Sequence, residues 1–440
     1  MQVIQCLGFY FPESSGGTEV YVDGLVRELQ LQGVTSVIAA AQGGDEENTY
    51  LYNKYTVYRY PVLTHPKPEE IRGVIPHGGF IHFAKWLKSQ QGDIYHQHSW
   101  VTGCSIHHLK LARALGMKTV ITVHVPGNIC LRGTMLLQGQ QVCDGKINIV
   151  RCGTCWGMAR NIPPWAAPLV ARVPLAVSGG VENINSRLAT VVATSTLVAR
   201  HQQRLQAMAQ VSDRIIAVCQ WLYDALLING IPEEKLVLCR QGVSFDGKKT
   251  IADTRDTFND DQPLRIGFLG RWDKVKGIHI LVAAVRRLPP DVKVKLIIHA
   301  LDQGEVAYQQ QVLATAGGDT RIQFEEPVPH HLVSQTIRGF DLLAVPSQCL
   351  ETGPLVVLEA QAVGVPVIGS DLGGIGELVT HQQDGWLVPH DDVGAWGEAI
   401  TCLARDRGLL ARLSGGIGAV RTMADVGREM KCVYQSLLVS

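Results

Sequence analysis

The feature that most restricts this chain is an alternation. Short apolar runs of strand character take turns with segments of helical period, and the pattern runs through twice with a break between. In the first round the strand candidates are Val3–Leu7, Thr35–Ala41, Thr56–Pro61, Asp93–His98, Thr119–His124, Arg214–Val218 and Leu236–Cys239. Between the first two, Val22, Leu25, Val26 and Leu29 recur at helical spacing, and the helix they predict ends at Gly33. The second round offers Leu264–Gly270, Val292–His299, Arg321–Glu325, Asp341–Val345, Val365–Gly369 and Gly385–Val388. Strand–helix alternation of this kind specifies doubly wound parallel sheets. Asp246 to Gln262 has no apolar period and reads as a linker.

The expected architecture is therefore α/β with two Rossmann-like domains, residues 1–245 and 262–418, facing a central cleft at the carboxyl edges of their sheets. Residues 419–440 are helical in pattern and are expected to pack back on the first domain. At 440 residues the chain is too long for one ordinary core, in agreement with two. Its formal net charge is zero, which argues against a nucleic-acid partner. Residues 1–245 carry 21 Lys and Arg against 16 Asp and Glu, and the remainder 19 against 24, about +5 and −5. A basic half of that size is compatible with a phosphorylated substrate or with peripheral association at an anionic membrane face. The chain enters a strand at once, and its apolar runs stay below membrane-spanning length. With most cysteines scattered singly, the reading is a cytoplasmic protein.

Chemistry-bearing residues gather at the ends of strand candidates. Glu351-Thr-Gly-Pro-Leu-Val-Val-Leu-Glu359 follows a strand and a polar loop, so it reads as strand, glycine-containing loop and helix. That order leaves backbone N–H groups free at a helix start, with a carboxylate on each side able to hold sugar hydroxyls. Upstream, Gly270-Arg271 and Lys276-Gly277 put a guanidinium and an ammonium at another strand's carboxyl end, a pairing suited to a diphosphate. In the first half, Gly16-Gly17 precede a helix without forming GxGxxG. His96 and His98 lie two apart on one strand face, and His98, at the strand terminus, is the one expected to meet a ligand. His124, ending the next strand, divides evenly between core and site.

Together these motifs resemble the GT-B glycosyltransferases, specifically the large retaining family 4, over nearly the whole chain. Asp213-Arg-Ile-Ile-Ala-Val-Cys-Gln-Trp221, Arg240-Gln-Gly-Val-Ser244 and Gly373-Gly-Ile-Gly-Glu377 are weaker matches that agree. The resemblance implies transfer of a hexosyl-type residue from a nucleotide-diphosphate sugar to a hydroxyl of a carbohydrate, lipid-linked or small-molecule acceptor. It assigns catalysis to His98, Glu351, Arg271 and Lys276. It assigns donor binding to Gly16, Gly17, Gly270, Gly353, Pro354, Leu355 and Glu359, with Glu359 on the ribose and Glu351 on the sugar. It further implies retention, with the acceptor attacking the face that the nucleotide leaves. Gln241 departs from the family's usual Asn, and Pro354 removes one N–H. No Asp-x-Asp is present, in keeping with metal-free donor binding. Competing expectations are sucrose-synthase-like or epimerase chemistry on the same fold, and a non-catalytic binding protein held by zinc.

Cys130, Cys143, Cys152 and Cys155 crowd into an insert at residues 126–187. Four cysteines ending in Cys-x-x-Cys suit a structural tetrathiolate zinc site, with disulfides or an iron–sulfur cluster as the other outcomes. Placed after the strand that ends at His124, the insert is expected to shape acceptor recognition. No cofactor is expected for catalysis itself.

Overall fold

In the computed structural model, all residues are described except 15, 99, 183, 185, 245–261, 302, 303 and 440, together with the side chain of residue 187. The chain divides into two compact units, Met1–Arg240 with Met423–Ser440, and Gln241–Thr422. The expected linker lies outside the described residues except for Gln262.

The first unit is built on an eight-stranded sheet. From one edge its order is Leu236–Leu238, Arg214–Ala217, Lys118–Val123, Ile94–His98, Gln2–Leu7, Thr35–Gly43, Tyr55–Val62 and Asn48–Tyr52. All pairs are parallel except the last. The strands are buried along nearly their whole length because helices cover both faces, which is why they read as continuous apolar runs. The antiparallel edge strand Asn48–Tyr52 is absent from the sequence reading. Its turn is Asn53-Lys54, with φ of 45° and 72°, and a Lys in the second left-handed position hides the usual Asn-Gly hairpin signal.

The second unit holds a six-stranded, wholly parallel sheet in the order Ile322–Glu325, Val294–Leu301, Leu264–Arg271, Leu342–Val345, Val367–Ser370 and Gly385–Val388. Its largest core group includes Leu264, Ile266, Phe268, Leu281, Leu296 and Trp396. A separate group under the other face centres on Phe340, Leu343, Val357 and Val367. In both sheets Gln2–Leu7 and Leu264–Arg271 are interior strands, so the loops that follow them emerge beside neighbours at the sheet's carboxyl edge.

The last helix, Met423–Leu438, belongs to the first unit. Met423, Val426, Met430, Tyr434 and Leu437 are buried on one face of it, a spacing of three and four, and join the core that contains Tyr21, Leu25 and Leu29. Gly427 is the closest point: a Cβ there would stand 2.8 Å from Glu28 Cβ, so only glycine lets the two helices approach this far. No described helix is long and apolar enough to cross a membrane.

Candidate functional site

In the second unit the strand Leu264–Arg271 delivers Gly270 and Arg271 to the sheet edge, and a single 3-10 turn, Lys274–Lys276, follows. Asp273 caps that turn by accepting from the Val275 N–H at 3.0 Å. Gly277 ends it with φ of 71°, and a Cβ there would sit 1.8 Å from the Pro346 carbonyl oxygen, so no other residue fits. The neighbouring loop is tied on by the Gln348 N–H, which donates to the Val275 carbonyl at 2.7 Å. These two loops bring Lys276 and Glu351, 75 residues apart, into one ion pair: Nζ to Oε1 at 2.5 Å, with Ser347 Oγ donating to the same oxygen at 2.8 Å.

Burial alone would raise the Glu351 carboxyl, but the ammonium of Lys276 outweighs it and holds the acid below its ordinary range. Burial likewise works against the Lys276 charge, and Glu351 more than restores it. Both groups therefore stay ionised. Arg271 is half exposed, and its nearest acid, Asp273, is 3.9 Å away, too far for a hydrogen bond. The edge thus offers one cation locked to a carboxylate and one that is available.

Gly353 takes φ of 110°, Pro354 caps the following helix, and Leu355–Ala362 carries Glu359. The N–H groups of the helix's first turn point toward the loop, as any helix start leaves them. A Cβ on Gly374 would come within 2.4 Å of the Gly353 N and 2.7 Å of the Glu351 carbonyl oxygen. The Gly373-Gly374 pair thus exists to let a second turn back this loop closely. Glu359, by contrast, has no cation in ion-pair reach among the described residues. Burial pushes its carboxyl up to about 7. The Gln241 side-chain oxygen is buried without a hydrogen-bond partner among the described residues, 3.6 Å from where a Cβ on Gly353 would stand. Ser347 was not singled out from sequence, since it lies at no motif spacing, whereas Gln241 was marked there only as a departure from the family's usual Asn.

In the first unit Gly16 caps the helix Gly17–Leu31 in extended conformation, with no side-chain cap. His98 ends the strand Ile94–His98 and is 3% exposed, hardly more open than His96 at 0%. At the strand terminus the His98 ring is thus almost wholly enclosed. His98 Nε2 donates to Gln5 Oε1 at 2.8 Å, which leaves Nδ1 to accept from His124 Nε2 at 3.1 Å. His96 Nδ1 accepts from the Tyr434 hydroxyl at 2.6 Å, and its Nε2 faces Thr122 Oγ1 at 2.7 Å. Burial lowers all three rings, His96 and His124 to about 3, so the cluster is neutral at any working pH. Gln5 and Tyr434, which orient it, lie on different elements, and no local pattern could have linked them to His98.

The four clustered cysteines and His201 line a common cavity. Cys152 and Cys155 lie on the helix Ile149–Ala159, and backbone N–H groups of Asn148 and Gln138 reach their sulfurs at 3.4 and 3.1 Å. All eleven cysteines are free thiols. Among the described residues no group of three or more His, Cys, Asp and Glu is arranged to hold a metal ion. The thiols surround a shared space rather than a shared point.

Both units match known domains. Residues 250–415 match the family described as glycosyl transferases group 1, and residues 15–140 match glycosyltransferase family 4. The fold is GT-B. Sucrose-phosphate synthase from Thermosynechococcus elongatus superposes with a TM-score of 0.67 at 19% identity over 100% of both chains. The Anabaena protein HepE, solved with UDP and glucose, gives 0.65 at 14% identity over 99% of this chain and 100% of that one. The D-inositol 3-phosphate glycosyltransferase of Xylanimonas cellulosilytica is 34% identical over 160 residues, 36% of this chain and 38% of that protein. Matches to the first curated relatives span between 38% and 56% of those relatives' own length. Each unit of this GT-B fold thus carries a match to a glycosyltransferase domain family.

Proposed function

We propose that the chain is a retaining glycosyltransferase that moves a hexosyl-type residue from a nucleotide-diphosphate sugar to an acceptor hydroxyl. The observation that carries this reading is the Lys276–Glu351 pair, seated at the sheet edge beside the start of the helix that bears Glu359. HepE, whose structure holds UDP and glucose, supports a nucleotide-sugar donor. Glu359, part-buried and with no cation beside it among the described residues, suits the ribose hydroxyls, which donate to an ionised carboxylate. Arg271 and Lys276 supply positive charge to the diphosphate as it leaves. The N–H groups around Gly353 and Leu355 add donors, and Gly270 and Gly16-Gly17 keep side chains out of the way. In transfer, the bond from the anomeric carbon to the diphosphate oxygen breaks as the acceptor oxygen bonds to that carbon on the same face. The acceptor proton passes to the departing phosphate oxygen. Glu351 positions Lys276 and meets the sugar.

His98 is the first unit's assigned contributor to the sugar. Both its ring nitrogens are already engaged, so its contact must use a ring edge or displace a bond, and its share is expected to be smaller than that of Glu351. For the cysteine insert, we propose a structural zinc that draws four thiolates from their common cavity to one point, a role outside catalysis. Peripheral membrane contact from the cytoplasmic side belongs to the same proposal wherever the acceptor is lipid-linked.

The deciding experiment is a nucleotide-sugar screen that reads released nucleotide, run on the wild type and on Glu351→Ala. Turnover of one donor by the wild type, lost in the variant, is expected. Absence of binding and turnover across all donors would overturn the enzyme reading. Metal analysis of the purified chain decides the zinc: about one equivalent is expected, and none would remove it.

A further inference from the structure

The first unit contains a cavity of about 310 Å³ that the donor chemistry does not use. It opens at the carboxyl ends of two adjacent parallel strands: Trp100, Thr102 and Ser105 follow the strand Ile94–His98, and Val125 follows Lys118–Val123. Glu70, from the short helix Pro68–Ile71, closes another wall. The remaining wall is Arg204, on the long helix Thr194–Val211.

Arg204 is the unusual member. Its guanidinium lies over the Trp100 ring, 4.9 Å from the centroid, and one of its N–H groups donates to the Arg72 carbonyl. Arg200, one turn earlier, is matched by Glu182 in a two-pronged ion pair. Arg204 has no such partner: among the described residues no carboxylate stands within ion-pair distance of it. Desolvation pulls its pKa down to about 10 with no acid to offset the loss. Glu70 lines the same cavity but stands beyond ion-pair distance of Arg204, with its Oε2 accepting from the Lys67 N–H at 2.8 Å. A partly buried cation without a counter-charge costs free energy that a bound anion would recover.

We propose that this cavity is the acceptor pocket and that the acceptor carries a phosphate group, held by Arg204 beside Trp100, with its hydroxyls toward Thr102 and Ser105. The inference deepens the transferase reading and rests on it for the word acceptor. A guanidinium held over an indole ring presents its N–H groups as a fork, the geometry that phosphate oxygens match. The phosphate belongs either to a soluble phosphorylated sugar or polyol, or to a lipid phosphate.

The test measures binding to the full chain at fixed ionic strength, with a hexose 6-phosphate, the unphosphorylated hexose and UDP as separate probes. The phosphate ester should bind at least about tenfold tighter than the neutral sugar. Arg204→Gln should erase that preference while leaving UDP affinity and the melting transition within error. Arg204→Lys should keep part of it, because charge survives and the stacked fork does not. A lipid arm compares sedimentation with phosphatidylcholine vesicles with and without phosphatidic acid. Retention of the wild type but not Arg204→Gln on the acidic vesicles places the phosphate on a lipid and supports the proposal. Equal affinity for ester and neutral sugar with no Arg204-dependent retention on vesicles overturns it, as does an ester preference that survives Arg204→Gln. A chain that discriminates the ester yet fails to bind UDP would sink the donor reading and leave the pocket standing.

Discussion

Each sheet carries a polar cluster at its carboxyl edge, and the two are built on opposite principles. In the second unit, Lys276 and Glu351 face one another as full charges, and Arg271 stands nearby with its charge available. In the first, His96, His98, His124, Gln5 and Tyr434 form a web of neutral groups. The charged cluster can answer a change of charge in a ligand. The neutral one can only hold a shape. A reaction that expels a diphosphate needs the former where the diphosphate departs. Where a sugar must be positioned, fixed dipoles suffice and cost less desolvation.

The sharpest way to break this contrast is to remove one charge of the pair. Lys276→Ala should lower transfer by about 10²- to 10³-fold and destabilise the second unit by about 3 kcal/mol, because the part-buried Glu351 loses its cation. Glu351→Gln should cost as much in rate and less in stability. A double-mutant cycle on melting and turnover checks both, and additive effects would refute the coupling.

Next comes Glu359, whose raised pKa makes a signed prediction. Between its ordinary value of 4.5 and about 7, the folded chain keeps a proton that the unfolded chain has released. Stability from this site therefore falls as pH rises through that window, and the loss is complete above it. Glu359→Gln should raise the melting temperature of the ligand-free protein at about pH 8 and leave it unchanged at about pH 4. The same substitution should weaken UDP binding by about tenfold at about pH 8. A variant that is destabilised at about pH 8 would contradict the assignment.

The histidine web sharpens the comparison from the other side. With all rings neutral, the ratio of His98→Ala to wild-type turnover should stay flat between about pH 5.5 and 8.5, at a loss of about tenfold. A ratio that changes with pH would show that a ring titrates in this range. The smallest effect is expected for Tyr434→Phe, which removes one hydroxyl contact to His96 and should cost about 1 kcal/mol in denaturant unfolding with kcat little changed.

The architecture was readable in advance because parallel strands buried on both faces leave continuous apolar runs. Leu264–Arg271 and Gly385–Val388 fall within one residue of the sequence expectation. The donor-edge motifs were readable for a related reason: Gly277 and Gly353 occupy left-handed conformations, and such positions announce themselves as glycine. What could not be read was long-range partnership. That Lys276 would clasp Glu351 rather than stand free beside Arg271 depends on Gln348 tying two loops together. That His98 would be sealed depends on Gln5, 93 residues away. The cysteine spacing suggested a tetrahedron, whereas the chain provides a common cavity, because spacing counts ligands without fixing where their sulfurs point.

The helix Met423–Leu438 has a consequence for how such a chain emerges from a ribosome. Val426, Met430 and Tyr434 complete the core of the first unit, yet they are made after the whole of Gln241–Thr422. The second unit is contiguous in sequence and has every residue it needs before the first does. Synthesis order and completion order are thereby reversed. During translation the first unit must wait, with the groove along Tyr21, Leu25 and Leu29 uncovered, until the last helix is free to close it.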